Sequence, residues 1–186
     1  MKKRLLSIAA IMALIITPAM SQKSIFDFTV ETIDGQQFNM ADLKGKKIMI
    51  VNTASKCGNT PQYKDLELLY KAYKSKLVII AFPANNFMNQ EPGTNAEIKE
   101  FCDSKYGVTF PVMGKISVKG ADMHPLYKWL TSKAANGVLD SEVSWNFQKY
   151  LIDENGRFVG FLKPAVKPLS DEVVNWVTKG QFTQAK

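Results

Sequence analysis

The chain has 186 residues, 46% of them hydrophobic, with a formal net charge of +7 and only two cysteines and one histidine. The basic bias is mild and comes with no dense Lys/Arg run interleaved with aromatics, so no nucleic-acid partner is expected. Two cysteines and one histidine cannot fill a zinc site of the usual four ligands, so no metal is expected either.

The first residues, Met1-Lys2-Lys3-Arg4, are basic, and Leu5 to Ile16 is an apolar run. Pro18-Ala19-Met20-Ser21 then places small residues at the positions that matter for cleavage. This pattern predicts a secretory signal peptide over residues 1–21 and an exported, periplasmic or otherwise extracytoplasmic, protein. The apolar run is short for a membrane span of about 20 residues, so no stable span is expected after cleavage. The segment carries three of the basic residues and no acidic one, so its loss lowers the formal charge to about +4. Residues 22–186 are long enough for one core and read as one domain.

Phe26 to Val30 alternates apolar and polar, as a half-buried strand does, and Asp34-Gly35 predicts a hairpin turn into Gln37 to Met40. Lys47 to Thr53 reads as a buried strand. Thr60-Pro61 reads as a helix start, with Thr60 as N-cap and Pro61 at the first helical position. Tyr63, Leu66, Tyr70 and Tyr73 continue at helical spacing. Leu77 to Phe82 is a second buried strand, closed by Pro83. Thr94-Asn95-Ala96-Glu97 is a capping box opening a helix that carries Ile98, Phe101 and Cys102. His124-Pro125 precedes a third helix with Leu126, Trp129 and Leu130. Tyr150 to Ile152 and Phe158 to Phe161 flank Asn155-Gly156, a strong hairpin signal. Ser170 opens a last helix through Val173, Val174 and Val177. The order predicts an α/β domain with an N-terminal β-hairpin and a mixed central sheet flanked by helices. A thiol after the first core strand and just before a helix matches the thioredoxin-like fold.

That thiol is Cys57. Backbone N–H groups at a helix start, and Lys56 beside it, favour the thiolate, which is the nucleophilic form. The plain alternative is a small buried hydrophobe. Cys57-Gly58-Asn59-Thr60 resembles a thioredoxin CxxC with its second cysteine replaced by Thr60. A thiol–disulfide oxidoreductase needs that second sulfur, so a lone reactive cysteine suits another electrophile, such as a peroxide oxygen. Cys102, on an apolar helical face, reads by itself as a packed core thiol. Trp145 read alone is a core residue, and Gln90 and Asn146 are turn residues.

VNTASKCGNTPQY, FPANNFMNQEPG, IKEFCDSKYGVTFP, HPLYKWL and WNFQKYLID occur in this order. Together they resemble the glutathione peroxidase family in its cysteine-containing form, from about Phe26 to Pro164. The resemblance implies a thiol peroxidase acting on hydrogen peroxide and organic or lipid hydroperoxides. In it Cys57 becomes a sulfenic acid, with Gln90, Trp145 and Asn146 donating hydrogen bonds around the sulfur. It implies that Cys102 resolves the sulfenic acid as an intramolecular disulfide. Cα atoms must come within roughly 4.4–6.8 Å for that bond, so the helix carrying Cys102 is expected to unwind in part. It implies no bound cofactor, but an external thiol reductant, thioredoxin-like rather than glutathione because Cys102 is present. Only a short connection separates His124 from Trp145, where tetrameric glutathione-dependent relatives carry a long insertion, which implies a monomer with an open site. The chain departs from the family at Ala84, where many thioredoxin-using relatives have a further cysteine, and at Asn85-Asn86-Phe87-Met88. His124 is expected to be structural. A peroxide sensor relaying oxidation to a partner protein, and a glutathione-dependent peroxidase, remain the alternatives.

Overall fold

The computed structural model of the protein describes residues 24–184; the expected signal peptide lies outside them. Strands β1 (Thr29–Glu31) and β2 (Gln37–Asn39) form the antiparallel N-terminal hairpin. Gly35 sits in its turn at φ 79°, a left-handed value that glycine adopts without strain. The strand expected from Phe26 begins only at Thr29, because Ile25–Asp27 is a 3-10 turn. Ser24 and Asp27 close a capping box around that turn, Asp27 Oδ2 accepting the Ser24 N–H at 2.9 Å.

The central sheet contains β3 (Lys47–Thr53), β4 (Leu77–Pro83), β5 (Lys149–Ile152) and β6 (Phe158–Leu162), in the order β4-β3-β5-β6. β3 and β4 run parallel, from Lys47 opposite Leu77 to Thr53 opposite Pro83. β5 lies antiparallel to β3 and β6 antiparallel to β5, so the sheet is mixed. All seven residues of β3 and of β4 are buried, which explains why they read as unbroken apolar runs rather than alternating ones.

Helices cover both faces. The sheet's alternation sends Ile48, Ile50, Ile80 and Tyr150 to one core, and Met49, Val51, Ile79 and Leu151 to the other. The first core is closed by α3 (Pro125–Thr131), through Leu126, Trp129 and Leu130, and by the N-terminal turn and hairpin. Its short companion α4 (Lys133–Asn136) gave no sequence signal. The second core is closed by α1 (Gln62–Tyr73), α2 (Asn95–Phe101) and α5 (Asp171–Lys179). In α5 the buried residues are Val173, Trp176 and Val177, with Val174 at the margin. Ser170 stands at its N-cap but its hydroxyl makes no cap bond. Each fully buried aliphatic or aromatic side chain contributes about 1.5–3 kcal/mol, so the two cores together hold the sheet rigid. The carboxyl ends of β3 and β4 lie side by side in that rigid sheet, and both cysteine-bearing segments pack on its second face.

Candidate active site

β3 delivers the chain into a loop that returns through Cys57 to α1. Thr60 organises this loop in a way the sequence did not suggest. Its hydroxyl points backwards, accepting the Cys57 N–H at 3.0 Å and donating to the Ala54 carbonyl at 2.8 Å. Thr60 is therefore not the N-cap of α1. Pro61 holds that position, already helical at φ −57°, with no side-chain cap bond. Successive i to i+3 bonds, Thr60 N–H to Cys57 O at 3.0 Å and Tyr63 N–H to Thr60 O at 3.1 Å, wind the loop into the helix instead.

The Cys57 side chain is 9% exposed and packs in the second core, yet its sulfur is not a bare hydrophobe. The Asn59 N–H donates to Cys57 Sγ at 3.4 Å. A backbone donor fixed on a sulfur supports negative charge there, since no reorganisation is needed when the charge appears.

Gln90 and Asn146 meet directly, Asn146 Nδ2 donating to Gln90 Oε1 at 2.9 Å. Both segments are bonded to the Cys57 loop. Lys56 N–H donates to the Gln90 carbonyl at 3.0 Å, and Asn59 Nδ2 donates to the Asn146 carbonyl at 3.4 Å. Trp145 packs beside the cluster that contains Cys57, with its ring 5.3 Å from that of Phe87. The structure thus brings the segments of Cys57, Gln90, Trp145 and Asn146 to one place.

Irregular backbone makes that convergence possible. Trp145 and Asn146 lie in a bend before β5, and Phe147 stands at φ 69°, held by its N–H on the Asn52 carbonyl. Met88 and Asn89, at φ 50° and 53°, turn the chain just before Gln90. Left-handed backbone at three non-glycine residues costs free energy, and such strain gathers where a side chain must be aimed. Asn85 closes this second loop by accepting the Glu91 N–H at 2.9 Å.

Cys102 is placed differently. It follows α2 directly, where the helix widens into a π turn over Cys102–Tyr106 and stops at Gly107, φ 57°. The Cys102 N–H is shared between the carbonyls of Ile98 and Lys99, as the helix changes pitch. The thiol is 1% exposed and free, as is that of Cys57. Burial pushes its pKa up to about 11, against a lowering influence from the Tyr63 hydroxyl. The expected capping box of α2 is present, Thr94 N–H reaching Glu97 Oε2 at 2.7 Å.

Several supporting residues went unread in the sequence. Asn52 donates from Nδ2 to the Trp145 carbonyl at 3.1 Å, and Asn59 bridges the cysteine loop to Asn146. Lys149, buried in β5, donates to Gln62 Oε1, to the Val166 carbonyl at 2.7 Å and to the Pro164 carbonyl at 3.1 Å. It thereby pins the start of α1 to the sheet, and burial pulls its pKa down to about 7. A polar residue inside an otherwise apolar strand is the one signal that could have found Asn52 and Lys149. His124 behaves as a cap, its Nδ1 accepting the Leu126 N–H at 3.2 Å.

Among the described residues, no three His, Cys, Asp or Glu side chains gather as a metal cluster would require. No helix among them is long and apolar enough to cross a membrane.

Residues 25–131 match the family model described as "Glutathione peroxidase". The chain is 45% identical over 159 residues to "Glutathione peroxidase-like peroxiredoxin 2" of Saccharomyces cerevisiae, covering 84% of this chain and 98% of that one. Among solved structures it resembles a protein called "Trgpx in apo form", with 38% identity and a TM-score of 0.66 over 84% of this chain and 97% of that one. A thioredoxin-family thiol:disulfide interchange protein from Chlorobium tepidum aligns with a TM-score of 0.54 and 24% identity, over 81% of this chain and 92% of that one. This last likeness is one of fold alone, and the fold is thioredoxin-like.

Proposed function

The chain belongs to the glutathione peroxidase family and is a thiol peroxidase, and on that premise we propose how its two cysteines divide the reaction. Cys57 attacks the terminal oxygen of a hydroperoxide as thiolate. The O–O bond breaks, Cys57 becomes a sulfenic acid, and the remaining oxygen leaves as water or an alcohol after taking up a proton. Gln90, Trp145 and Asn146 donate hydrogen bonds to the sulfur and to the departing oxygen. The observation that carries this reading is the Asn59 N–H on Cys57 Sγ, in a loop bonded to both the Gln90 and the Asn146 segments.

Cys102 then condenses with the sulfenic acid, releasing water and forming an intramolecular disulfide, which an external dithiol of thioredoxin type reduces. The π turn that begins at Cys102 supports this step. A π turn is a rare departure from the regular α-helix and stands frequently at functional sites. Electrons come from a thiol reductant, so no prosthetic group is required. The substrates extend from hydrogen peroxide to organic and lipid hydroperoxides, and the enzyme works as a monomer. We also infer export, on the strength of the basic start, the apolar run and the small residues before Gln22. A thioredoxin-like donor in that compartment is then required, since free thiols there do not stay reduced unaided.

The test is peroxide-dependent NADPH consumption with thioredoxin and thioredoxin reductase, set against glutathione and glutathione reductase. Faster turnover with thioredoxin supports the dithiol cycle. Faster turnover with glutathione would favour the glutathione-dependent reading, and a single oxidation with neither donor would favour a peroxide sensor.

A further inference from the structure

Two lysines are buried in the central sheet, and they are held in different ways. Lys47, at the start of β3, pairs with the Glu154 carboxylate at 3.0 Å and donates to the Val177 carbonyl of α5 at 3.2 Å. Lys149, at the start of β5 and opposite Val51 of β3, is fully buried. Among the described residues its three donors go to neutral oxygens: Gln62 Oε1, the Val166 carbonyl at 2.7 Å and the Pro164 carbonyl at 3.1 Å. The charged group that acts on it is Lys167, of like sign. Taking an ammonium out of water without a counter-charge costs free energy, so this one asks for a reason beyond filling space.

The reason lies in where its contacts lead. Gln62 is the first residue of α1, and both ends of its side chain are taken: Oε1 by Lys149, and Nε2 in donating to the Pro164 carbonyl at 2.8 Å. Its N–H donates to the Asn59 carbonyl at 2.9 Å. The Asn59 N–H in turn donates to Cys57 Sγ at 3.4 Å, and Asn59 Nδ2 to the Asn146 carbonyl at 3.4 Å. Asn146 precedes Lys149 by three residues, in backbone that the Phe147 N–H fastens to the Asn52 carbonyl at 2.6 Å. The contacts therefore close into a ring: Lys149 to Gln62, Gln62 to Asn59, Asn59 to Asn146, and along the chain back to Lys149. The donor on the cysteine sulfur belongs to this ring. An ammonium suits the position, since it has three donors for one side chain and two carbonyls, and a side-chain amide has only two.

We propose that Lys149 is a positioning residue for the first oxidation: through Gln62 it fixes Asn59, and so keeps the Asn59 N–H aimed at the Cys57 sulfur. This rests on the reading of Cys57 as the residue that peroxide oxidises. Lys149 acts on the sulfur only through its neighbours. It sets where a donor stands before charge builds up, and a donor held beforehand need not be reorganised as the O–O bond breaks. Lys47 has no such path. Its partners are Glu154 and α5, and it lies at the opposite end of β3 from the Cys57 loop. The molecule thus contains its own control, a buried sheet lysine that ties strand to helix away from the sulfur.

The experiment compares Lys149→Met, Gln62→Leu and Lys47→Met in a Cys102→Ser background, where Cys57 is the remaining thiol. Folding is checked by circular dichroism. The two readouts are the rate of the first oxidation by hydrogen peroxide, in stopped-flow fluorescence, and hydrogen exchange of the Asn59 N–H, by NMR. Lys149→Met is expected to slow the oxidation roughly tenfold, the worth of about one hydrogen bond to a charged group, and to speed exchange at Asn59. Gln62→Leu breaks the same path one step on and is expected to do likewise, the double variant losing no more than either single one. Lys47→Met is expected to lower stability to urea and leave both readouts at their background values. Oxidation of Lys149→Met at the background rate overturns the proposal, as does a slowed oxidation with Asn59 exchange unchanged. An equal slowing in Lys47→Met overturns it too, since the effect is then general loosening, as does a double variant that loses the product of the single losses. Should Lys149→Met fail to fold, Gln62→Leu decides, and unchanged rate and exchange there overturn the proposal. A background chain whose Cys57 peroxide leaves untouched refutes the reading of Cys57 itself, a separate result.

Discussion

The two cysteines share one apolar core but live in opposite kinds of backbone. Cys57 sits in a loop clamped at every turn: Thr60 holds its N–H, Asn59 donates to its sulfur, and Lys56 and Asn59 bind it to the Gln90 and Asn146 segments. Cys102 sits where a seven-residue α-helix widens into a π turn, its N–H shared between the Ile98 and Lys99 carbonyls and its own carbonyl taking the Val108 N–H at 3.2 Å. The contrast suggests a division of labour. A group that must meet a small substrate in one fixed geometry gains from preorganised donors. A group that must travel to find its partner gains from being attached to a segment of low local stability.

The sharpest way to break the comparison is to remove the sulfur proposed as resolving. Cys102→Ser is expected to undergo one oxidation at Cys57 and then lose thioredoxin-coupled turnover; undiminished steady-state turnover would contradict the resolving role. Next comes the frame. Gln90→Ala and Asn146→Ala are each expected to slow the first oxidation roughly 10²–10³-fold, measured by stopped-flow fluorescence. Because the two side chains are hydrogen-bonded to each other, the double variant should lose less than the product of the single losses.

The burial of Cys102 gives a pH prediction. Its folded pKa is raised from 9 to about 11, so the proton stays on through neutral pH and the thiolate appears only as pH approaches 11. In Cys57→Ser, iodoacetamide should therefore label native Cys102 about a hundredfold more slowly near pH 8 than the unfolded chain. Equal labelling rates would show that the segment is already open before oxidation. The smallest effect belongs to the clamp. Thr60→Val loses the two hydrogen bonds of the Thr60 hydroxyl and is expected to cost about 1–3 kcal/mol in urea denaturation. It should slow the first oxidation without blocking the second step.

Much of this architecture could be read from the chain. β3 and β4 were legible because burial on both faces leaves an unbroken apolar run, and α2 because its capping box is local. Cys57 is legible from its place between a core strand and a helix, whereas Gln90, Trp145 and Asn146 are legible only through the resemblance, since none of the three is distinctive alone. What escaped depends on contacts between distant segments. Thr60 looks like a helix cap until the Cys57 N–H is seen to take its hydroxyl oxygen. The strand expected from Phe26 yields to a 3-10 turn because Ser24 also bonds to the distant Gly156 carbonyl, at 3.2 Å. Lys149 shows in the sequence only as a polar residue in an apolar strand; that its Nζ reaches Gln62 and the Pro164 and Val166 carbonyls depends on which groups fold around it.

The most direct test of the account is the mass of the reduced protein after one equivalent of hydrogen peroxide. The account predicts a wild-type chain two hydrogens lighter, with Cys57 joined to Cys102. It predicts a Cys102→Ser chain one oxygen heavier at Cys57, and a Cys57→Ser chain unchanged. A Cys57→Ser chain oxidised as fast as the wild type, or a wild-type chain left untouched by peroxide, would contradict it.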